Sequence, residues 1–315
     1  MKLLVTGAAG YIGRHVVREL LRSGHEVIGF DSMIAGRADT ITEVCELIIG
    51  DIRDKDCVVK TFKENNFQGV INLAALKSVE HSFKFSLEYE EVNFWGAKLI
   101  MDVSRDFGVD YFLQTSTAAV YGPTGNDHVT EGDQLDPISP YGSSKLKAEE
   151  MLDKFVLTKS IAGCSLRFFN VLGAESAPLR DDSQDNLLPR IATALLKGER
   201  PQVFGADYDT PDGTCIRDYV HVSDVARAHV FAIEALVKGP LPSALNIGTG
   251  HGHSVMEVIT STQEYLGIHT EPKITSRREG DIPYVVASVT LAKEVLGFSA
   301  ERSLLEMISS ALDRA

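Results

Sequence analysis

The sequence predicts a doubly wound α/β fold, a parallel sheet covered by helices on both faces, with a smaller interleaved α/β lobe toward the C-terminus. Three observations predict it. Short apolar runs alternate with longer stretches of helical period. The runs are apolar along their whole length, as strands buried on both faces must be. A glycine-rich loop separates the first run from the first helical stretch.

Residues 2–6 form the first predicted strand. In 11–23, Ile12, Val16, Leu20 and Leu21 fall on one helical face until Gly24 stops the helix. Strands are expected at 26–30, 47–49, 69–74, 111–115 and 165–169, with helices at 54–65, 88–107 and 140–158. Beyond Phe169 the pattern loosens. Residues 171–185 and 201–216 are rich in Gly, Pro and Asp and read as loops around a helix at 186–197. Strands at 218–222 and 244–247 and helices at 223–237, 254–267 and 303–313 complete the reading. The expected division is a first domain over 1–170 and 217–250, and a smaller second lobe over 171–216 and 251–315, with a cleft between them.

The 315 residues suffice for a sizeable core without staples. The formal charge of −13 argues against a non-specific nucleic-acid binder and against docking on anionic lipid. Cys45, Cys57, Cys164 and Cys215 show neither a CxxC pair nor metal-ligand spacing, so a reducing cytoplasm and no metal site are expected. No apolar run approaches a membrane span. The apolar start, Met1 to Val5, is too short for a signal-peptide core and reads as a strand.

Gly7-Ala8-Ala9-Gly10-Tyr11-Ile12-Gly13 follows the first strand and opens the first helix. Gly7 permits a tight turn, Gly10 lets the backbone approach a pyrophosphate, and Gly13 lets the helix pack on the sheet. Free N–H groups at the helix start face the phosphates. Asp31 ends the second strand, where a carboxylate accepts from an adenosine ribose and repels a 2′-phosphate. NAD is therefore favoured over NADP, with Arg37 nearby as the one contrary feature. The alternative is a ligand-free glycine turn with Asp31 as a helix cap. Asp51-Ile52, after the third strand, fits beside the adenine or makes an ordinary strand-end turn.

Pro140-Tyr141-Gly142-Ser143-Ser144-Lys145 starts a predicted helix, and residues four apart share a face. Lys145 then lies under Tyr141 and beside the cofactor. Its charge, with that of an oxidised nicotinamide, is expected to lower the tyrosine pKa, giving a general base for a substrate hydroxyl. Thr117, ending the strand upstream, offers a hydroxyl to the same proton. A surface Tyr and Lys on an amphipathic helix is the competing reading.

Together these residues resemble the extended short-chain dehydrogenase/reductase superfamily, and within it the NAD-dependent epimerase/dehydratase family of UDP-glucose 4-epimerases. The resemblance covers nearly the whole length. It is carried by Gly7 to Gly13, Leu76-Lys77-Ser78-Val79, Thr115-Ser116-Thr117-Ala118-Ala119-Val120-Tyr121-Gly122 and Arg167-Phe168-Phe169-Asn170-Val171-Leu172-Gly173-Ala174. It continues through Asp212-Gly213-Thr214-Cys215-Ile216-Arg217-Asp218-Tyr219-Val220-His221-Val222, Asn246-Ile247-Gly248-Thr249-Gly250 and Arg277-Arg278-Glu279-Gly280-Asp281. It implies a Rossmann sheet and inversion of the C4 hydroxyl of a nucleotide-diphosphate hexose through a 4-keto sugar that turns about its pyrophosphate. Related dehydratases and decarboxylases place an acid just after the catalytic Thr. Ala118-Ala119 supply none, so oxidation is followed only by return of the hydride to the other face.

The resemblance assigns the chemistry to Thr117, Tyr141 and Lys145. Tyr11, Ile12, Ser32, Leu73, Ala74, Ala75, Asn93, Thr115 and Phe168 join the glycine loop, Asp31, Asp51 and Ile52 around NAD. Lys77 holds its pyrophosphate or ribose side unless it is a plain surface lysine. On the substrate side, Arg217 and Arg278 pair with diphosphate oxygens. Asp281 accepts from the uridine ribose, and Asn186 and Leu187 offer a helix start near the phosphates. Phe204 contacts uracil, and Asn170 reaches the hexose or phosphate. Without the resemblance, Arg217 beside Asp218 is a surface ion pair. His221 reads as core packing.

Departures from the family pattern are Ala35-Gly36 after Asp31-Ser32, Asn72 for a common His, and Phe168 for a common Tyr. If Val285 takes the gate position beside the hexose, there is room for an N-acetyl group. Apolar residues on several faces of 88–107 (Val92, Phe94, Trp95, Leu99, Ile100), together with 140–158, imply by resemblance a homodimer through a four-helix bundle; intramolecular core is the alternative. Rival functions are an epimerase or 4-ketoreductase acting on UDP-GlcNAc, UDP-glucuronate or a dTDP-hexose, and a non-catalytic nucleotide-binding regulator.

Overall fold

A computed structural model describes residues 1–123, 128–181, 183, 186–278 and 280–313; Glu279 of the Arg277–Asp281 stretch lies outside them. The first half runs β1 (Lys2–Thr6), α1 (Tyr11–Arg22), β2 (Glu26–Asp31), α2 (Asp39–Thr42), β3 (Glu46–Ile49), α3 (Lys55–Glu64) and β4 (Gly69–Asn72). It continues through α4 (Val79–Lys84), α5 (Ser86–Glu90), a π-helical turn (Glu91–Gly96), α6 (Ala97–Asp106), β5 (Tyr111–Thr117), a 3-10 turn (Ala118–Val120), α7 (Pro140–Leu157) and β6 (Ala162–Phe168). The remainder is β7 (Asn170–Leu172), α8 (Leu187–Leu196), β8 (Gln202–Phe204), β9 (Ile216–His221), α9 (Val222–Lys238), β10 (Ala244–Ile247), β11 (Gly252–Ser254), α10 (Val255–Leu266), β12 (Lys273–Thr275), β13 (Tyr284–Val285), α11 (Thr290–Leu296) and α12 (Leu304–Leu312).

Seven strands form one parallel sheet in the order β10-β6-β5-β4-β1-β2-β3. Side chains of a strand alternate between the faces. Leu3 and Val5 enter a core with α1 and α9, whereas Leu4 enters one with α3, α6 and α7. Apolar residues on both faces of β1 are thus what a doubly covered sheet requires. Strand order reverses between β1 and β4. The loops leaving these two strands flank the switch point, where ligands of open α/β sheets bind.

The second lobe has its own core, in which Leu188, Ile191 and Leu195 of α8 meet Val258 and Ile259 of α10, Met307 and Ile308 of α12, and Tyr219 of β9. β9 pairs with β7, β11 and β13 rather than with the large sheet. Conversely, Ala292, Leu296 and Phe298, around α11, pack into the core of the first domain. The chain therefore crosses between the lobes more often than composition suggests. Stretches read as loops contain the short strands β7 and β8. The helix expected at 88–107 is a run of three pieces, because the π-helical turn widens it at Glu91–Gly96. No helix among the described residues is long and apolar enough to cross a membrane.

Candidate active site

The glycine loop is built by close approach. Gly7 has φ +68°, and a Cβ there would lie 2.7 Å from the Ala74 backbone nitrogen in the loop after β4. A Cβ on Gly13 would fall 2.1 Å from the Gly7 carbonyl oxygen, so α1 can sit this close only with glycine there. Around Gly10 a Cβ would meet only that carbonyl, at 3.2 Å, leaving room above the first turn of α1. Ile12 is partly buried against the first core, and Tyr11 spans toward the second lobe, its hydroxyl donating to the Gly173 carbonyl at 2.5 Å.

Asp31 is nearly buried. Its Oδ2 accepts from the Ala9 N–H at 2.9 Å and its Oδ1 from the Met33 N–H at 2.8 Å. The carboxylate thus ties the glycine loop to the end of β2, a role sequence reasoning missed, and its remaining lone pairs stay available to a ribose. Ser32 is exposed beside it. Asp51 takes a bidentate grip from Arg53, with Nε–Oδ1 at 3.0 Å and Nη2–Oδ2 at 2.6 Å, which holds its carboxyl below the usual range. Ile52 is buried beneath the π-helical turn, where a Cβ on Gly96 would strike it.

The loop after β4 (Leu73, Ala74, Ala75) is anchored at both ends. Leu73 N–H donates to the Thr6 carbonyl at 3.1 Å and Ala74 N–H to Thr6 Oγ1 at 3.3 Å. Asn93, buried in the π-helical turn, accepts from Leu76 N–H at 2.8 Å and donates to its carbonyl at 2.9 Å. Asn72 belongs to a ladder inside the sheet, accepting from Thr6 Oγ1 at 2.5 Å and donating to Gln114 Oε1 at 2.9 Å. Lys77 is half-exposed with its Nζ 3.9 Å from Asp181 Oδ1.

β5 and α7 bring the expected catalytic residues together. Ser139 caps α7 by accepting from the Gly142 N–H at 3.1 Å, and Pro140 opens the helix. The first turn thereby presents Tyr141 to Thr117, whose hydroxyl acts to lower the phenol. Thr117 Oγ1 also accepts from the Ala119 N–H at 3.2 Å. Tyr89 packs edge-on to the Tyr141 ring, 6.3 Å between centroids. Lys145 is 3% exposed, and its hydrogen bond is a long one, 3.4 Å to Thr115 Oγ1. Phe168, opposite Thr117 in the ladder, packs on the His229 ring at 5.3 Å.

The protein's own electrostatics do not lower the tyrosine. Burial pushes the Tyr141 phenol up, opposed by the Thr117 hydrogen bond, so the protein alone does not favour phenolate. Lys145 is itself pulled down to about 8 by burial, against the pull of Glu149. The expected lowering of the tyrosine therefore depends on a further positive charge from a bound ligand.

A second constellation forms where β9 meets β13. Arg217 is mostly buried, with Nη2 3.7 Å from Asp281 Oδ1 and Nη1 on the Ile216 carbonyl at 2.9 Å. Burial raises the Asp281 carboxyl, and the charges of Arg217 and Arg278 pull it back. The Arg278 guanidinium lies over the Phe204 ring, 3.8 Å from its centroid, with Arg190 at 5.4 Å. Asn186 precedes α8 but leaves its N–H groups uncapped, its side-chain amide donating to Asp181 instead. Leu187 packs into the second core, and Asn170 is exposed on β7.

At two residues the structure adds to the sequence reading. Asp218 does not form a surface ion pair with Arg217. It is fully buried, accepting from Thr249 N–H (2.8 Å), Thr249 Oγ1 (2.7 Å), Gly250 N–H (2.9 Å) and Ala287 N–H (3.2 Å). His221 packs in the core as expected, but also caps α9 through Ser223 N–H at 3.0 Å and meets Ser310 Oγ at 3.0 Å.

The residues fit a dinucleotide. Gly10 leaves room above the first turn of α1, and Lys145 is a buried cation with three donors and one long hydrogen bond, as a site completed by a hydroxyl-bearing ligand would leave it. The profile of the NAD dependent epimerase/dehydratase family matches residues 3–248. The UDP-glucose 4-epimerase of Bacillus subtilis is 36% identical over 324 residues, covering 99% of this chain and 96% of that protein. The crystal structure of UDP-glucose 4-epimerase from Stenotrophomonas maltophila with bound NAD and formylated UDP-arabinopyranose superposes with a TM-score of 0.93 at 36% identity, covering 99% of this chain and 96% of that one. That from Bifidobacterium longum in complex with NAD+ and UDP gives 0.92 at 34% identity, covering 99% and 97%. A match that spans the glycine loop, the tyrosine helix and β10 makes this chain a member of the NAD-dependent epimerase/dehydratase family.

Proposed function

We propose that the protein is an isomerase that inverts the C4 hydroxyl of a UDP-hexose, of the UDP-glucose/UDP-galactose type, through a 4-keto sugar. The observation that carries this reading is buried Lys145, bonded to Thr115 of β5 and one helical turn after Tyr141, with Ala118-Ala119 following Thr117 and no carboxylate there for elimination. NAD, held by the glycine loop, Asp31 and the loop after β4, supplies a hydride acceptor that becomes the donor for the opposite face.

The chain's own residues do the rest. Tyr141 takes the proton of the 4-hydroxyl and later returns it, and Thr117 shares that hydrogen bond so the proton moves along a preset line. Lys145 directs its free donors to ribose hydroxyls and favours the phenolate by charge. Arg217 and Arg278 hold the diphosphate while Asp281 and Phe204 address the uridine, so the nucleotide stays fixed as the hexose turns. Lys77 and Asn186 both lie against Asp181 and exchange that carboxylate for ligand phosphate. A homodimer through α5–α6 and α7 is supported by the exposed Leu87, Trp95 and Leu157, and a cytoplasmic setting by four cysteines without a disulfide.

The test is incubation of purified protein with UDP-glucose, UDP-galactose, UDP-GlcNAc, UDP-glucuronate and dTDP-glucose, followed by product separation. The C4 epimer with no net change in cofactor is expected. Stoichiometric consumption of reduced cofactor would identify a 4-ketoreductase instead. Binding of NAD and UDP without turnover of any sugar would overturn catalysis.

A further inference from the structure

We propose that Glu149, clamped by Arg167 one helical turn after Lys145, is a positioning residue for this reaction, its carboxylate keeping Lys145 charged beside Tyr141. The proposal rests on the C4 inversion above. The buried face of α7 runs through Gly142, Ser144, Lys145, Ala148, Glu149, Leu152 and Phe155. Two charged residues one helical turn apart therefore occupy places that apolar side chains would fill as well. Glu149 is 4% exposed, and Arg167 of β6 gives it three hydrogen bonds: Nε–Oε1 at 3.0 Å, Nε–Oε2 at 3.2 Å and Nη2–Oε2 at 2.6 Å.

Arg167 is fixed in turn. Its Nη1 donates to the Tyr121 hydroxyl at 2.9 Å, which donates to Asn246 Oδ1 at 2.6 Å, and Asn246 Nδ2 donates to the Val129 carbonyl at 3.0 Å. Three side chains, from β6, β10 and the segment after β5, thus immobilise one carboxylate of α7. A buried ion pair of this kind stabilises a fold no better than well-packed apolar residues, so packing alone gives no reason for it. Proximity to Lys145 does. Burial pulls the Lys145 ammonium toward its neutral form, and Glu149 is the charged group that opposes this. The other titratable groups of the neighbourhood are Tyr141 and Asp153 on α7, Tyr89 on α5, Cys164 and Arg167 on β6, and Tyr121 and Glu131 in the segment between β5 and α7.

The test measures the pH dependence of kcat/KM in the NAD-loaded protein, and the 13Cε titration of Lys145 by NMR of lysine-labelled protein. In Glu149→Gln the alkaline limb and the Lys145 titration are expected to move down by about one pH unit, with Glu149→Asp restoring most of the shift. Glu149→Gln leaves Arg167 unpaired and can fail to fold. The double variant Glu149→Gln/Arg167→Gln leaves no unpaired buried charge and is expected to show the same downward shift. An unchanged limb and an unchanged Lys145 titration in the folded variants, with only a lower Tm, would overturn the proposal. Wild-type protein that inverts no sugar would instead overturn the C4 reading, while the Lys145 titration would still decide the role of Glu149.

Discussion

Asn93 Nδ2 donates to Ser144 Oγ at 3.1 Å, pinning the π-helical turn before α6 to the helix that carries Tyr141 and Lys145. The same amide group holds both the N–H and the carbonyl of Leu76, so one side chain couples the loop after β4 to the proton-transfer helix. Asn93→Ala removes three hydrogen bonds and leaves Leu76 to water or to nothing. A loss of about 1–3 kcal/mol is expected in denaturant unfolding, with less NAD retained on purification. Unchanged NAD retention would mean that the loop is held by Thr6 alone.

Tyr141→Phe removes the acid–base group and keeps the ring against Tyr89. Turnover is expected to fall about 1,000-fold while NAD binding persists. Because burial raises the phenol in the protein alone, the ultraviolet titration of Tyr141 should appear above the ordinary tyrosine range without cofactor and move down when NAD+ is loaded. A titration that ignores NAD+ would show that ligand charge does not reach the phenol, and activity surviving in Tyr141→Phe would remove it as the base.

The places of the glycine loop, Asp31, Thr117, Tyr141 and Lys145 in the fold were legible because each follows from local order: strand, loop, helix, and a spacing of four. The second lobe was not, because its pairings are non-local. Nothing near Asp218 announces that Thr249, Gly250 and Ala287 will surround it. Short strands such as β8 and β12 carry too few residues to show a period, and are strands only because they pair with each other. Glu149 was readable in principle, as a charge on the apolar face of a helix four residues after Lys145. Its partner Arg167 lies on a strand 18 positions away, and only the sheet brings them together.

His15 makes stability depend on acid. Its Nε2 accepts from the Glu175 N–H at 3.2 Å, so the neutral ring carries its proton on Nδ1, facing the Tyr11 carbonyl at 2.9 Å. Burial pushes both His15 and the fully buried His229 down to about 4. In the unfolded chain both take up a proton near 6.5. Their contribution is complete above that value and is lost as pH falls from about 6.5 to about 4, on the order of 3 kcal/mol for each. Urea midpoints at pH 7 and 4.5 should differ accordingly, and His229→Phe should flatten the slope. A midpoint constant across this window would show that the rings are protonated in the folded protein.

The expected gate position of Val285 beside the hexose can be tested by substrate choice. It lies on β13 opposite Arg217 of β9, and packs toward Val120, Tyr121 and Phe169, in the region that joins the residues after Thr117 to the arginine cluster. At that gate position a valine would present a small apolar wall where a larger ring would crowd an acyl group on the sugar. The protein is therefore expected to turn over UDP-GlcNAc as well as UDP-glucose. Val285→Tyr should lower kcat/KM for UDP-GlcNAc about tenfold or more and affect UDP-glucose little, since added bulk excludes the larger substrate selectively. Equal losses on both sugars would place Val285 away from the N-acetyl position, and wild-type protein inactive on UDP-GlcNAc would show that another wall closes that space.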